Sequence, residues 1–389
     1  MARLASPLLA QGPAESAHSG IREVANEAIR RPGTIRLDVG QPDFPTPQHI
    51  KDAGKRAIDE NMTFYTHTQG LLSLREKLVA KLARVNGINS TPEAIACGPG
   101  GVGAIAAMLA AVVEHGDEVM LPDPGWPNYR MMLPWLGARG VYYPCPPALE
   151  FQPDLDALES LVSSRTKVLV VNSPNNPTGA VYPAHTIEAF VEIAQRHNLW
   201  LLSDECYDQV LLDGAWTSPA SLAPHDPRIA TVFTFSKTYA MTGWRLGYLT
   251  GSAELVDTAT KVLESNSSCV STITQVAAEA ALDGPQDCVT EMVTAYRRRK
   301  DLAVAILKDA ELFISEPAGA FYVMADVSPR GLNSRDFAFT LLRERGVSVA
   351  PGTAFGQVAR DSVRISLASS DADLDEGVRR LAQFVHGGA

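Results

Sequence analysis

The stretch Val232-Phe233-Thr234-Phe235-Ser236-Lys237-Thr238-Tyr239-Ala240-Met241-Thr242-Gly243-Trp244-Arg245-Leu246-Gly247-Tyr248 sets one lysine at the end of an apolar run. Val232 to Phe235 reads as a short buried strand. It delivers Lys237 among hydroxyl-bearing neighbours, with Arg245 eight positions further on. An amine held near a buried cation has a reason to lose its proton and act as a nucleophile. Hydroxyls with an arginine suit a phosphate dianion. A lysine poised for a Schiff base beside a phosphate site points to pyridoxal 5'-phosphate.

Outward from this stretch the chain alternates strand and helix. Upstream, Trp200 to Leu202 and the β-branched run Val168 to Val171 read as buried strands, with a helix over Thr186 to Arg196 between them. An unbroken apolar run of this kind marks a parallel strand covered on both faces. Earlier still, Glu118 to Leu121 reads as a strand stopped by Pro122. Ala104 to Glu114 reads as a buried helix, and Gly98 to Gly103 as a glycine-rich loop. Leu71, Leu74, Leu78, Leu82 and Val85 follow a helical period that Gly87 ends. This alternation from about residue 90 to 250 implies an α/β domain with a mainly parallel sheet, whose ligands bind beyond the carboxyl ends of the strands. Asn172 to Gly179, Asp204 to Tyr207 and Ser236-Lys237 each follow a predicted strand. After about Gly284 a long helical pattern leads into strands at Phe321 to Asp326, Val347 to Ala350 and Val363 to Leu367, with a helix over Arg335 to Arg345. That order implies a separate α+β unit. The residues up to about Ser19 lack periodicity and read as a surface segment.

The 389 residues suffice for a large domain with a smaller companion. With 34 basic and 44 acidic residues the formal charge is −10, which argues against a nucleic-acid surface. The longest basic run, Arg297-Arg298-Arg299-Lys300, falls in a helical pattern and reads as a solvated face. No apolar stretch approaches the roughly 18 residues of a spanning helix. The N-terminus, with Arg3 and a Leu/Ala run broken by Pro7, is too weak for a signal peptide. Cys97, Cys145, Cys206, Cys269 and Cys288 are scattered and form no CxxC pair. They fit a reducing cytoplasm, most of them as small buried hydrophobes, with neither disulfide framework nor zinc site. His67 and the other histidines show no metal spacing.

Each candidate site residue has a plain alternative. Gly98-Pro99-Gly100-Gly101-Val102-Gly103 fits the GxGxxG dinucleotide fingerprint, with Asp123 downstream as a ribose ligand, yet it equally describes a tight strand-to-helix turn. In both cases glycines let the backbone approach a phosphate at a helix N-terminus. The dinucleotide reading leaves Lys237 and Asp204 unexplained. Asn172-Ser173-Pro174-Asn175-Asn176-Pro177-Thr178-Gly179 has the composition of a loop, but it is longer than a turn requires, and an Asn there could donate to a cofactor oxygen. Asp204 is either a helix cap or a carboxylate holding a proton on a pyridine nitrogen, with Tyr207 in reach of the same ligand. Trp126, on a Pro-Gly loop, is a core residue or a stacking partner. Arg364 interrupts the apolar strand Val363-Arg364-Ile365-Ser366, as a salt-bridged structural arginine or as a clamp for a substrate carboxylate.

Together these residues resemble the pyridoxal-phosphate aminotransferases of class I/II, with the fold of aspartate aminotransferase, and within them a bacterial branch of aspartate and related aminotransferases. The resemblance covers nearly the whole chain, from Val39-Gly40-Gln41-Pro42-Asp43-Phe44 to Arg364-Ile365-Ser366-Leu367. SPNNPTG, SDECYD, SKTYAMTGWRLGY, PAGAFY (Pro317 to Tyr322) and APGTAFG (Ala350 to Gly356) occur in the family's order. It implies fold type I: a mainly parallel central sheet in a large domain, residues 46–283, and a smaller α+β domain from residues 1–45 and 284–389. It further implies that Lys237 links to the cofactor and later shuttles the Cα proton, with Asp204 on the pyridine nitrogen. Tyr207 and Asn176 would bond the ring oxygen, and Trp126 would stack on the ring. Gly101, Val102, Thr234, Ser236 and Arg245 would hold the phosphate, Arg364 would grip the α-carboxylate, and Gly40 would lie beside it. Tyr65 would reach the phosphate of a neighbouring subunit, which makes the active unit a homodimer.

Val102 departs from the aspartate-specific pattern, in which a lysine there reads the distal carboxylate. A valine cannot neutralise a buried carboxylate, so a preference for neutral over dicarboxylic amino donors is expected, unless Arg22 or the partner subunit substitutes. The expected activity is transfer of an amino group from an L-amino acid to a 2-oxo acid by a ping-pong cycle. A β-eliminating C–S lyase would use nearly the same residues. A non-catalytic sensor fused to a DNA-binding domain is disfavoured by the acidic charge and by the short stretch before Gly40.

Overall fold

A computed structural model describes residues 9–16 and 18–387. In chain order the first strands are β1 (Ile35–Arg36), β2 (Ile95–Pro99), β3 (Glu118–Asp123), β4 (Arg139–Pro144), β5 (Thr166–Asn172), β6 (Trp200–Asp204), β7 (Ile229–Thr234) and β8 (Leu246–Thr250). Seven of them form one sheet in the order β2-β8-β7-β6-β5-β3-β4. Neighbours from β7 through β4 are parallel, while β8 runs antiparallel to both β7 and β2. The inner strands are largely apolar because helices cover both faces, while the edge strand β4 exposes Arg139 and Tyr142. Gly100–Val112 and Ala253–Ser267 pack on one side through Ile105, Met108, Val256 and Leu263. Ala184–Arg196 packs on the other through Ile187 and Phe190.

The remaining strands, β9 (Tyr322–Asp326), β10 (Val347–Ser348), β11 (Ala350–Pro351) and β12 (Ser362–Ser366), lie apart from this sheet. β9, β12 and β11 pair antiparallel, and β10 pairs parallel with β1. Helices Asp287–Asp309, Ser334–Arg345 and Asp371–Val385 bury Leu307, Phe337, Leu341 and Leu381 against them. Residues 35–37 thus join elements more than 300 positions away: the Leu37 amide donates to Ser348 O at 2.8 Å, and the Ser366 amide to Leu37 O at 2.8 Å.

Several local expectations need correction. The Gly98 to Gly103 segment holds almost no loop, since β2 runs to Pro99 and the helix starts at Gly100, whose φ of +78° makes the whole turn. β3 continues through Pro122 to Asp123; pairing to β5 ends at Met120, so the missing N–H removes no rung there. β7 ends at Thr234, and Phe235 already belongs to a single helical turn, Phe235–Thr238, capped by the Thr234 hydroxyl. Val347 to Ala350 divides between two sheets. The helix ended by Gly87 closes in a wider π-type turn, Leu82–Asn86. A short helix, Gln11–Glu15, forms in the segment read as irregular, and Arg3 and Pro7 lie outside the described residues. The basic run is not a uniformly solvated face, because the helix turns Arg299 inward to ion pairs with Asp43 and Asp371 at 2.8 Å each. Cys97 and Cys145 are buried, while Cys206, Cys269 and Cys288 are partly exposed. Among the described residues no helix is long and apolar enough to cross a membrane.

Candidate active site

β5 and β6 run in register, with Asn172 opposite Asp204, so their polar carboxyl ends emerge side by side. β7 ends beside them and delivers Ser236 and Lys237 on its helical turn. These ends form the floor of a cavity of about 500 Å³. Its lining brings together Gly40, Gly101, Val102, Trp126, Asn176, Asp204, Tyr207, Thr234, Ser236, Lys237, Arg245 and Arg364, from seven separate stretches of sequence. Of the predicted site residues only Tyr65 stands elsewhere, 89% exposed beside a surface hollow lined by Cys269 to Ile273.

Asp204 is buried, and burial pushes its carboxyl above the usual range against the donors that stabilise the anion. Its Oδ2 accepts the Tyr129 hydroxyl, and its Oδ1 accepts the Cys206 amide at 3.2 Å. Asn172 fixes the strand end by donating to Asp204 O at 3.0 Å. A buried carboxylate with neutral donors and one lysine nearby can stabilise a further cation placed in the cavity. Lys237 Nζ donates to Gly40 O at 2.5 Å and lies 5.7 Å from the Phe321 ring and 5.9 Å from that of Tyr207.

At one end of the cavity the chain packs too tightly for side chains. A Cβ on Gly247 would stand 2.4 Å from Gly101 N, and one on Gly101 would meet Cys206 Sγ at 3.0 Å. The Gly100–Val112 helix therefore presents its first amides there. Thr234 Oγ1 donates to Ser236 Oγ at 2.9 Å, and Arg245 reaches over from a residue with φ +57° to Pro99 O at 3.2 Å. Helix amides, hydroxyls and a guanidinium form a donor set suited to a phosphate.

At the other end Arg364 is 2% exposed. Its guanidinium donates to Asn176 Oδ1 at 2.9 Å and to Asp38 O at 2.8 Å, and it lies 4.1 Å from the Tyr322 ring centroid. Its Nε is buried without a hydrogen-bond partner, and no carboxylate pairs with it among the described residues. A structural salt bridge therefore does not account for Arg364. Gly40 sits against it, where a Cβ would stand 2.9 Å from the Tyr322 hydroxyl. The Tyr322 and Tyr207 hydroxyls meet at 2.9 Å, and burial followed by this contact pushes the Tyr207 phenol well up.

Sequence reasoning gave no role to Tyr129, Tyr322, Asn128, Asn172, Cys206 or Ile21, which line or brace the cavity. Tyr322, Cys206 and Asn172 fell inside quoted motifs, and that was the available signal. Tyr129 and Ile21 lie on the helices Pro127–Leu136 and Gly20–Ile29, and no motif marks either of them. Arg22, weighed above as a substitute cation, does line the cavity. Asp123, the ribose candidate, lies outside it and accepts the amides of Gln357 and Val358 at 3.0 and 3.1 Å, so the dinucleotide reading loses its second ligand. Among the described residues no cluster could hold a metal.

A family model described as aminotransferase class I and II matches residues 32–381. An aspartate/prephenate aminotransferase of Thermus thermophilus is 39% identical over 362 residues, 92% of this chain and 93% of that one. An aromatic-amino-acid aminotransferase of Thermococcus litoralis is 37% identical over 371 residues, 94% and 95% of the two chains. Among solved structures, the Thermus thermophilus aspartate aminotransferase with maleate superposes with a TM-score of 0.93 at 37% identity, covering 97% of this chain and 100% of that one.

Proposed function

The chain belongs to the class I and II aminotransferases, a family of amino-group-transferring enzymes, and from that premise we propose that it uses pyridoxal 5'-phosphate in this cavity to move the amino group of an L-amino acid to a 2-oxo acid. The observation that carries this reading is the convergence, in one cavity, of Lys237, a buried Asp204 with neutral hydrogen-bond donors, and a buried Arg364 that pairs with no carboxylate among the described residues. The fit to the cofactor rests on the same features and on the cradle at Gly101 and Gly247 that side chains would fill. The residues assigned to it are Lys237 for the covalent link, Asp204 for the ring nitrogen, and Tyr207 and Asn176 for the ring oxygen. Trp126 would lie on the ring face, and Gly101, Val102, Thr234, Ser236 and Arg245 would hold the phosphate. When bound, the cofactor supplies an aldehyde that takes up the amino group and a ring that accepts the electrons of the Cα–H bond.

The chain's own residues do the rest. Arg364 grips the α-carboxylate common to donor and acceptor, and Asn176 and Asp38 O fix its fork. Gly40 leaves room for the substrate backbone. Lys237 Nζ, once the substrate's amine has displaced it from the covalent link, would take the proton from Cα and hand it to the cofactor carbon, within reach of the Gly40 carbonyl. Burial of the strand ends keeps water from competing.

Four finer points belong to the same proposal. Residues 46–283 form the cofactor-holding unit, with 1–45 and 284–389 as the smaller one. Five free cysteines support a cytoplasmic setting. The exposed Phe64-Tyr65 pair supports a homodimer in which Tyr65 reaches the partner's phosphate site. Val102, on the cavity wall, offers no charge to a distal carboxylate and so favours neutral donors, while Arg22 lines the same cavity and would reverse that preference by pairing with the carboxylate. The test is a panel of single L-amino acids with 2-oxoglutarate. Mole-for-mole transfer, lost in Lys237→Ala and fastest by kcat/KM with neutral donors, is expected. Ammonia release without an acceptor would point to elimination instead, which the relatives' names do not favour. A kcat/KM for aspartate well above that for phenylalanine would remove the donor preference.

A further inference from the structure

Tyr129 is 1% exposed on the helix Pro127–Leu136, three residues after Trp126. The Trp126 and Tyr129 rings meet edge to face, 5.3 Å between centroids. The one acceptor of the Tyr129 hydroxyl among the described residues is Asp204 Oδ2, across the cavity floor. The groups that act on Asp204 come from each element around it: Tyr129 from this helix, the Cys206 thiol and amide from the chain after β6, and Lys237 from the turn after β7. Behind Tyr129 stands Tyr143 of β4, whose hydroxyl is already given to Val170 O at 2.7 Å. Burial, then the Asp204 charge, hold the Tyr129 phenol well above its ordinary value, so it stays a donor.

We propose that Tyr129 is a positioning residue of this site: its hydroxyl, donated to Asp204 Oδ2, keeps that carboxylate aimed into the cavity and ties the helix that follows Trp126 to the strand end that carries Asp204. A tyrosine that only braced the core would leave Asp204 untouched, as the fully buried Tyr143 does, whose hydroxyl donates to Val170 O on the far side of the same sheet strands. Tyr129 differs because its single directional bond ends on the carboxylate read as the partner of the cofactor's ring nitrogen, and the proposal rests on that reading. Loss of the donor leaves Asp204 with one main-chain amide and the Cys206 thiol, which raises its affinity for a proton and weakens its hold on a cationic ring.

The experiment compares Tyr129→Phe, Tyr143→Phe and Asp204→Asn by spectrophotometric titration with pyridoxal phosphate across the acid limb of binding. In Tyr129→Phe the cofactor dissociation constant is expected to rise about tenfold, about 1.4 kcal/mol. The acid limb should also move to higher pH, while Tyr143→Phe should shift neither quantity. Unchanged affinity and limb in Tyr129→Phe, or equal changes in Tyr143→Phe, would overturn the proposal. Undiminished affinity in Asp204→Asn would instead remove the reading of Asp204, and the proposal with it. If Tyr129→Phe does not fold, Tyr129→His carries the test, because its ring N–H restores a donor. A limb at the wild-type position then supports the proposal, and a displaced limb contradicts it.

Discussion

Arg364 and Glu205 show how differently two buried charged residues are handled. Arg364 keeps two hydrogen bonds and an unpartnered Nε, so its charge is held ready for a ligand. Arg364→Ala should lower kcat/KM about 100-fold or more for donors and acceptors alike, since a charge-assisted pair is lost at both half-reactions. Steady-state kinetics with varied donor and varied acceptor check this, and an effect on one substrate alone would contradict it. Glu205, beside Asp204 but pointing away from the cavity, accepts from the Ser203 and Ser218 hydroxyls at 2.8 and 2.7 Å. Burial pushes its carboxyl up to about 8, so the folded protein keeps it protonated where the unfolded chain has already released the proton. Stability attributable to this group therefore falls as pH rises from its unfolded value toward 8. A Glu205→Gln variant should melt about 2–5 °C above wild type near pH 8, with the gap closing toward pH 5. A gap independent of pH would contradict that assignment.

At the level of elements, the strand ends are held from below by a buried ion pair. Lys81, where the helix Leu72–Lys81 gives way to the π-type turn, donates to Asp208 Oδ2 at 2.5 Å, and Asn86 Nδ2 donates to the same oxygen at 3.0 Å. Lys81 Nζ also lies 4.3 Å from the Phe233 ring centroid of β7. The wider turn thus points Lys81 and Asn86 together at the segment after Asp204. Breaking such a pair by Lys81→Ala should cost about 3–5 kcal/mol in denaturant unfolding, because Asp208 is left buried and unpaired. The double replacement Lys81→Met with Asp208→Leu should recover most of that loss; a double variant as unstable as the single one would contradict it. This level also shows what the sequence made legible. Asp204 and Lys237 close apolar strand patterns and Arg364 interrupts one, and a charge in such a place needs a reason. Tyr129, Tyr322 and Lys81 follow the helical or strand pattern around them, so only the folded geometry reveals their partners. The inward turn of Arg299 was hidden for a related reason: its anions, Asp43 and Asp371, come from distant parts of the chain.

At the scale of the molecule, the alternation of strand and helix was readable because each buried strand is short, apolar and closed by a polar motif. The junction of residues 35–37 with β10 and β12 was not, since two short strands carry too little pattern to predict a pairing across the chain. Phe64 and Tyr65, 80% and 89% exposed, are large apolar surfaces that a second copy would cover. Sedimentation should give a dimer for the wild type, and Phe64→Asp should shift it toward monomer with weaker cofactor binding; a monomeric wild type with full cofactor affinity would contradict the shared site. The central claim is tested most directly by the visible spectrum of the protein with pyridoxal phosphate, before and after single L-amino acids. A yellow band absent in Lys237→Ala, bleached by a donor and restored by a 2-oxo acid, is the predicted result. No band after incubation with the cofactor, or a bleached band that no 2-oxo acid restores, would contradict it.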